Sequence, residues 1–560
     1  MIKGLACTLA FVLPLAIGQS SADSPANPPA ATSEIEQLKQ MLLEQQRQIN
    51  ELKLKLGMPV NAHPALGEVA STKPMVTPPP AAPAFAPEPA PAAPTTTATA
   101  PQPDDSKMPL SLKLGDTYIS PVGFMDMTMV SRSTNPGSGI GTNFGSIPYG
   151  NTQAGSLTET RLSPQNSRIG LRFDAPDVKG WNVLGYWESD FLGQIGSPPN
   201  GGLAVSSNPY VFRLRLYWVD VTKGKFEFLA GQSWSLLTPG RSGISPLPGD
   251  IFYSQDIDVN YQAGLVWGRI PGYRLVYHPS DKVAFGIAFE NSEPYVGGGN
   301  GGSGATLPAA ISTTATTGST QGSVLGGQIN NGNSVISAAA LAPDIIAKLA
   351  FDPSKRFHVE FAGVEIANKI AYPGANTTFP TSTKVGGGGS VNLNFELAKG
   401  LRLVTNNYWS DGGGRYIFGQ APDFIIRANG TPSLVHSGST VTGLEVTAGK
   451  TQYYAYYGGV YIAKNMALDA NGTTKIGYGP ISSDGQNRAI QEITFGSNTT
   501  LMRDVKWGAL NLMFQYSYLQ RNPWLVATGA PDSAHLSMGF FNFRYTLPAS
   551  VGSRTAFAAK

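Results

Sequence analysis

The sequence predicts an all-β fold, a transmembrane antiparallel β-barrel of about 16 strands, preceded by a short N-terminal α-helical coiled coil. Three observations predict it. Segments of about ten residues between 110 and 548 alternate apolar and polar side chains with period two. Short turns and long polar connections take turns along that stretch. The chain is also poor in charge, at 14%, but rich in aromatic residues, at 10%, and in glycine, with 65.

Residues 1–22 read as a signal peptide. Lys3 is its basic start, Leu5 to Ile17 its apolar run, and Ser20 and Ala22 the small residues before a cleavage near Asp23. The run is too short to span a bilayer as a helix. The single cysteine, Cys7, lies within it, so disulfide and thiolate chemistry are not expected.

Residues 33–57 predict a coiled-coil trimerisation segment. Ile35, Leu42, Ile49 and Leu56 take the a positions, and Leu38, Gln45 and Leu52 the d positions. Ser33 with Glu36 forms a capping box, and Gly57 and Pro59 stop the helix. No apolar segment follows to cover this face, so self-association, as a homotrimer, is the expected partner. A solitary amphipathic helix is the alternative. Residues 58–109 are Pro/Ala-rich and predict an extended periplasmic linker.

Residues 110–548 predict the barrel. In Tyr210–Asp220, alternation places Tyr210, Phe212, Leu214, Leu216 and Trp218 on one face and Val211, Arg213, Arg215 and Tyr217 on the other. In 167–174, Ile169, Leu171 and Phe173 alternate with Arg168 and Arg172; in 536–547, Phe541, Phe543 and Tyr545 alternate with Asn542 and Arg544. Short turns are expected near 174–179, 222–225, 278–282, 352–355, 397–400, 448–451 and 498–506. Long connections are expected near 132–159, 193–208, 236–262, 293–342, 368–384, 411–440, 464–487 and 520–533. VNYQAGLVWG (259–268) could be a further strand, but the even strand count assigns it to the third long connection. Tyr186, Trp187, Tyr217, Trp218, Trp234, Trp267, Trp409, Tyr453–Tyr457 and Trp507 cluster at segment ends and predict interfacial girdles. Residues 549–560 form a C-terminal extension.

Charge on a lipid-facing strand position is costly, so arginines on these strands should point into the lumen. Arg168, Arg172, Arg213, Arg215, Arg274, Arg402 and Arg544 are the expected pore-lining, anion-selective residues, and Arg161 lies near a mouth. Guanidinium groups pair bidentately with carboxylates. Glu188, Asp190 and Glu227 are candidate wall partners. The third connection is the candidate constriction loop, carrying Arg241, Asp250, Asp256 and Asp258; a plain external loop is the alternative.

NSRIGLRFD (166–174), FRLRLYWVDV (212–221), FLAGQSWSLL (228–237) and FNFRYTLP (541–548) resemble segments of the DcaP-like porin family, as does the order of signal, coiled coil, spacer and barrel. The resemblance implies a sixteen-stranded trimeric porin in the Gram-negative outer membrane, in contact with its lipid, passing small anionic solutes such as dicarboxylates. The chain departs from common barrels in continuing past Leu547 with ASVGSRTAFAAK. No enzymatic activity, cofactor, metal or nucleic-acid partner is expected. The histidines show no metal-ligand spacing, there is no GxSxG elbow, and GLEVTAGKT (443–451) lacks the glycine and helix of a phosphate loop. A phosphate or sugar channel and a structural tether to peptidoglycan are the alternative functions.

Overall fold

The computed structural model describes residues 47, 110–193, 210–247, 252, 262–298, 302–311, 338–372, 378–481 and 485–552. The signal segment, linker and coiled-coil positions Ile35, Leu38, Leu42, Gln45, Ile49, Leu52 and Leu56 lie outside the described residues. Among the described residues no helix is long and apolar enough to cross a membrane.

One sheet dominates. Its strands are β1 (Thr117–Arg132), β2 (Glu159–Ser163 and Arg168–Asp174, two halves of one stave), β3 (Trp181–Gly193), β4 (Val211–Lys223), β5 (Phe226–Trp234), β6 (Arg269–Ser280), β7 (Val283–Glu290) and β8 (Asp344–Ser354). β9 (Phe357–Ala371), β10 (Thr381–Ala398), β11 (Leu401–Asp411), β12 (His436–Ala448), β13 (Thr451–Ile462), β14 (Asn487–Asp504), β15 (Gly508–Pro523) and β16 (Ala534–Thr546) complete it. Each pairs antiparallel with the next, and β16 pairs back onto β1 from Phe124↔Thr546 to Arg132↔Met538. Two short pieces, Leu112–Leu114 and Ala338–Ala340, extend the edges of β1 and β9. The result is a closed sixteen-stranded barrel. Closure leaves no unpaired sheet edge, which is the condition for strands to sit in lipid.

Six of the seven short turns fall where alternation placed them; the seventh, expected at 498–506, is confined to 505–507 because β14 continues to Asp504, and the third connection runs from Trp234 to Arg269. Residues 262–268 belong to that connection and form no strand. Past Thr546 the chain turns into a short helix, Pro548–Gly552, whose Ser550 Oγ accepts from Gly123 N at 2.7 Å beneath the β1/β16 seam.

The outer surface carries Met125, Ile169, Phe212, Leu275, Phe361, Ile493 and Phe514, each exposed to at least two-fifths of its area. So continuous an apolar band is stable only against lipid. Alternation in β4 is corrected by a bulge. Leu216 faces Glu188 while Leu214 faces Ser189, so Arg215 is the extra residue. A bulge shifts the side-chain phase by one. Above it Phe212 and Leu214 point out and Arg213 and Arg215 in. Below it Leu216 and Trp218 turn inward, fully buried or nearly so, and Tyr217 turns out, 64% exposed. The girdle is corrected too. Tyr217, Trp409, Tyr453, Tyr457 and Trp507 are on the outside. Tyr186 and Trp218 instead stack on each other inside at 5.4 Å, and Trp234, Trp267, Tyr454 and Tyr456 pack with lumenal residues. Short-range alternation cannot distinguish a ring at the lipid interface from one covered by an inward loop.

The barrel is not a plain tube. Val130, Ile366, Ile490, Leu519 and Phe540 line the inner wall and form one apolar cluster with Phe144, Leu237, Val266 and Ile425 from the long connections. The loops are therefore packed into the barrel.

Candidate functional site

The inner wall of β2 to β4 carries the densest positive charge among the expected arginines. Arg213 clamps Asp190 through Nε (3.1 Å) and Nη2 (2.6 Å), and Arg215 bridges Glu188 (2.7 Å) and Asp190 (2.9 Å). Arg168 approaches Glu188 at 3.8 Å and lies over the Phe124 ring. Three guanidinium groups thus share two carboxylates. The bulge at Arg215 lets Arg213 and Arg215 face these acids while Leu216, opposite Glu188, also turns inward. Arg215 has a side chain with no exposed surface, while that of Arg213 is 31% exposed. Arg215 is therefore enclosed by its carboxylate partners, whereas Arg213 keeps part of its side chain exposed.

The other arginines are placed separately. Arg172 pairs with Asp174 (2.6 Å), Arg274 with Glu227 (3.6 Å), Arg402 with Glu396 (3.7 Å) and Arg544 with Asp126 (2.7 Å). All four lie on the polar side of their strands. Arg161 is at a mouth, bonded to Glu159.

The third connection crosses the interior. Arg241 forms a two-bonded pair with Glu445 of β12 at 2.6 and 2.9 Å. Backbone amides along the same segment donate to wall carboxylates: Leu236 to Glu290 (2.7 Å), Gly240 to Glu360 (3.1 Å), Gly243 to Asp352 (2.9 Å) and Ala263 to Glu492 (2.8 Å). A buried N–H needs an acceptor, and a coil segment inside a barrel has no sheet partner to supply one. Inward carboxylates on β7, β8, β9 and β14 fill that need. Gly264 shows how closely the loop lies on the wall. At φ +84 a Cβ there would come within 2.5 Å of the Gly459 carbonyl oxygen. Asp250, Asp256 and Asp258 lie outside the described residues.

Sequence reasoning missed Glu290, Glu360, Glu445 and Glu492. Their signal was present: each is an acid at a buried position of a strand, where a carboxylate needs donors to satisfy it.

No family model matches the chain, and no curated protein matches it. Among solved structures, the outer-membrane channel DcaP of Acinetobacter baumannii superposes with a TM-score of 0.53 at 13% identity, over 78% of this chain and 99% of that one. The chain has the fold of an outer-membrane porin. An anion-selective porin of Comamonas acidovorans (TM-score 0.41, 10% identity, 77% of this chain and 100% of that one) and the outer-membrane protein OmpT of Vibrio cholerae (0.40, 10%, 78% and 99%) also match.

Within this porin fold the connection between β11 and β12 also enters the interior. Arg415 bonds Asp344 and Asp423 and reaches Ser292 (3.3 Å). Burial opposes the Arg415 charge, but the two carboxylates hold its pKa well above the ordinary value. Asp423 is pushed up to about 6 by burial, against the pull of Arg415. Anchored there, the connection brings Phe418 onto Trp267, with ring centroids 3.9 Å apart and planes at 10°. Trp267 also contacts Trp234 at 5.4 Å, and the Arg269 guanidinium lies over both indoles, 5.1 and 5.6 Å from their centroids. Trp234 is the fourth residue of the GQSWS stretch, Gly231–Ser235. Its Gly231 adopts φ +132, where a Cβ would meet the Tyr217 carbonyl oxygen at 2.3 Å. That glycine is required by close strand approach.

Proposed function

We propose that the protein is a DcaP-like outer-membrane porin that passes small hydrophilic solutes passively and prefers anions. The observation that carries the reading is the sharing of Glu188 and Asp190 by Arg168, Arg213 and Arg215. A surplus of fixed positive charge on a low-dielectric wall raises the local concentration of anions. Loop segments tied across the interior act as the size screen, with Arg241 in the constriction. In this reading Arg172, Arg274, Arg402 and Arg544, each beside an acid, shape a transverse field along the lumen. The N-terminal heptads trimerise the chain in the periplasm and the Pro/Ala-rich segment spans the distance to the barrel.

Reversal potentials under a salt gradient in planar bilayers test the proposal. Anion preference is expected, reduced in Arg213→Gln, with current steps in groups of three. A cation preference in the native protein would refute it. A sugar channel would instead need rings available to solute, whereas Tyr454 and Tyr456 are 3% and 2% exposed.

A further inference from the structure

We infer that Trp267, Trp234 and Arg269 form a binding site for a solute carrying a planar aromatic ring beside a carboxylate, and that Phe418 occupies the ring's position in the resting channel. The inference rests on the channel reading above and names its solute class.

The contact of Phe418 with Trp267 differs from ordinary packing. Aromatic pairs in cores favour offset or edge-on contacts at larger separation, and the stacked pairs Tyr454–Tyr456 and Tyr186–Trp218 have centroids 5.1 and 5.4 Å apart. Those pairs are set by the spacing along one strand and by the register of Tyr186 opposite Trp218. The pair at 3.9 Å joins two connections from opposite walls, and its near-parallel planes are those of a ring slotted against an indole face.

The backbone at Phe418 supports a displaceable ring. Phe418 has φ +46, a conformation that among the described residues only Lys179 shares as a non-glycine. Such backbone costs free energy and persists where its surroundings impose it. Here the surroundings are specific. Tyr416 and Ile417 are buried before it, and Gln420 after it accepts from Gly264 N at 3.2 Å. Gly419, at φ +65, lies between. The tip is thus a two-residue arch on fixed feet, with Phe418 only partly buried. Swinging the arch relieves backbone strain and frees one indole face, so a ligand ring of similar area replaces the contact that is lost.

The charge beside the slot selects the rest of the ligand. Arg269 lies over both indoles, and its charge acts on Glu188 and Arg213 of the arginine wall. A ring on Trp267 places its carboxylate beside a guanidinium already oriented by two aromatic faces. A saturated ring offers the same charge but cannot lie flat on the indole.

The test uses the full-length protein in planar bilayers, with benzoate and cyclohexanecarboxylate as probes. Benzoate is expected to interrupt the current with an apparent dissociation constant at least tenfold lower than that of cyclohexanecarboxylate. Phe418→Gly, which suits the left-handed backbone and so keeps the loop foldable, should strengthen the benzoate effect several-fold. Trp267→Leu should erase the difference between the two acids. Arg269→Gln should weaken benzoate while leaving a neutral ring, benzamide, unchanged. Equal effects of the two acids in both the native protein and Phe418→Gly would overturn the site while leaving the porin reading intact. Absence of any conductance would instead overturn the porin reading.

Discussion

Replacing Arg241 with alanine removes the charged tie between the crossing loop and the β12 wall. The pair has Nη2–Oε1 at 2.6 Å, with Glu445 2% and Arg241 23% exposed at the side chain. Breaking a buried pair costs about 3–5 kcal/mol, because the remaining charge is left without a partner. The partial exposure of Arg241 screens this, and about 2 kcal/mol is the working figure. Tyr456 still donates to Glu445 at 2.8 Å. At about 1.4 kcal/mol per tenfold, the population with this part of the loop released rises roughly thirtyfold. Two assays read it: amide hydrogen exchange at Gly240 and Gly243, which flank Arg241 and bond carboxylates of β9 and β8, and single-channel conductance, which should increase. Glu445→Gln added to Arg241→Ala should recover part of the loss, since a neutral amide needs no counter-charge. If exchange at those glycines stays within twofold of native, or if the double variant is simply the sum of the single ones, the pair does not hold the loop.

Gly231→Ala forces a Cβ to 2.3 Å from a backbone oxygen at positive φ; it should cost about 2–4 kcal/mol, read as a lower unfolding temperature of the folded band on detergent gels. Tyr217→Lys places a charge on the lipid side set by the bulge, so membrane assembly should lose about 2–4 kcal/mol at mid-bilayer depth. Normal assembly and stability of that variant would show that Tyr217 points inward. Asp423 has a folded-state pKa of about 6, above the unfolded value, so its contribution to stability is full below about pH 4 and is lost as pH rises through about 6. Protease resistance of the 411–436 connection should therefore fall across that window, and Asp423→Asn should flatten the profile.

Alternation along the chain was enough to reveal the barrel, its even number of staves and its short turns, because lipid on one side and polar groups on the other impose period two locally. The same rule, that a lipid-facing guanidinium is too costly, is what makes Arg168, Arg172, Arg213, Arg274, Arg402 and Arg544 the expected lumenal residues. Alternation failed at Leu216, Trp218 and Tyr217, where one unpaired residue in the ladder reversed the phase. A bulge depends on how two strands register, and that information is spread over β3 and β4 together.

Chain order alone determined the strands and the period-two alternation of faces along them, up to the phase reset by a bulge. Only the closed tertiary structure decided which partners the arginines found, that Glu290, Glu360, Glu445 and Glu492 receive the crossing loop, and that Phe418 reaches Trp267. The loop contacts join residues roughly 50 to 230 positions apart, as with Ala263 and Glu492. No local periodicity encodes such pairs; they exist because closing the ring brings opposite walls within reach of one loop, whose buried amides must find acceptors there.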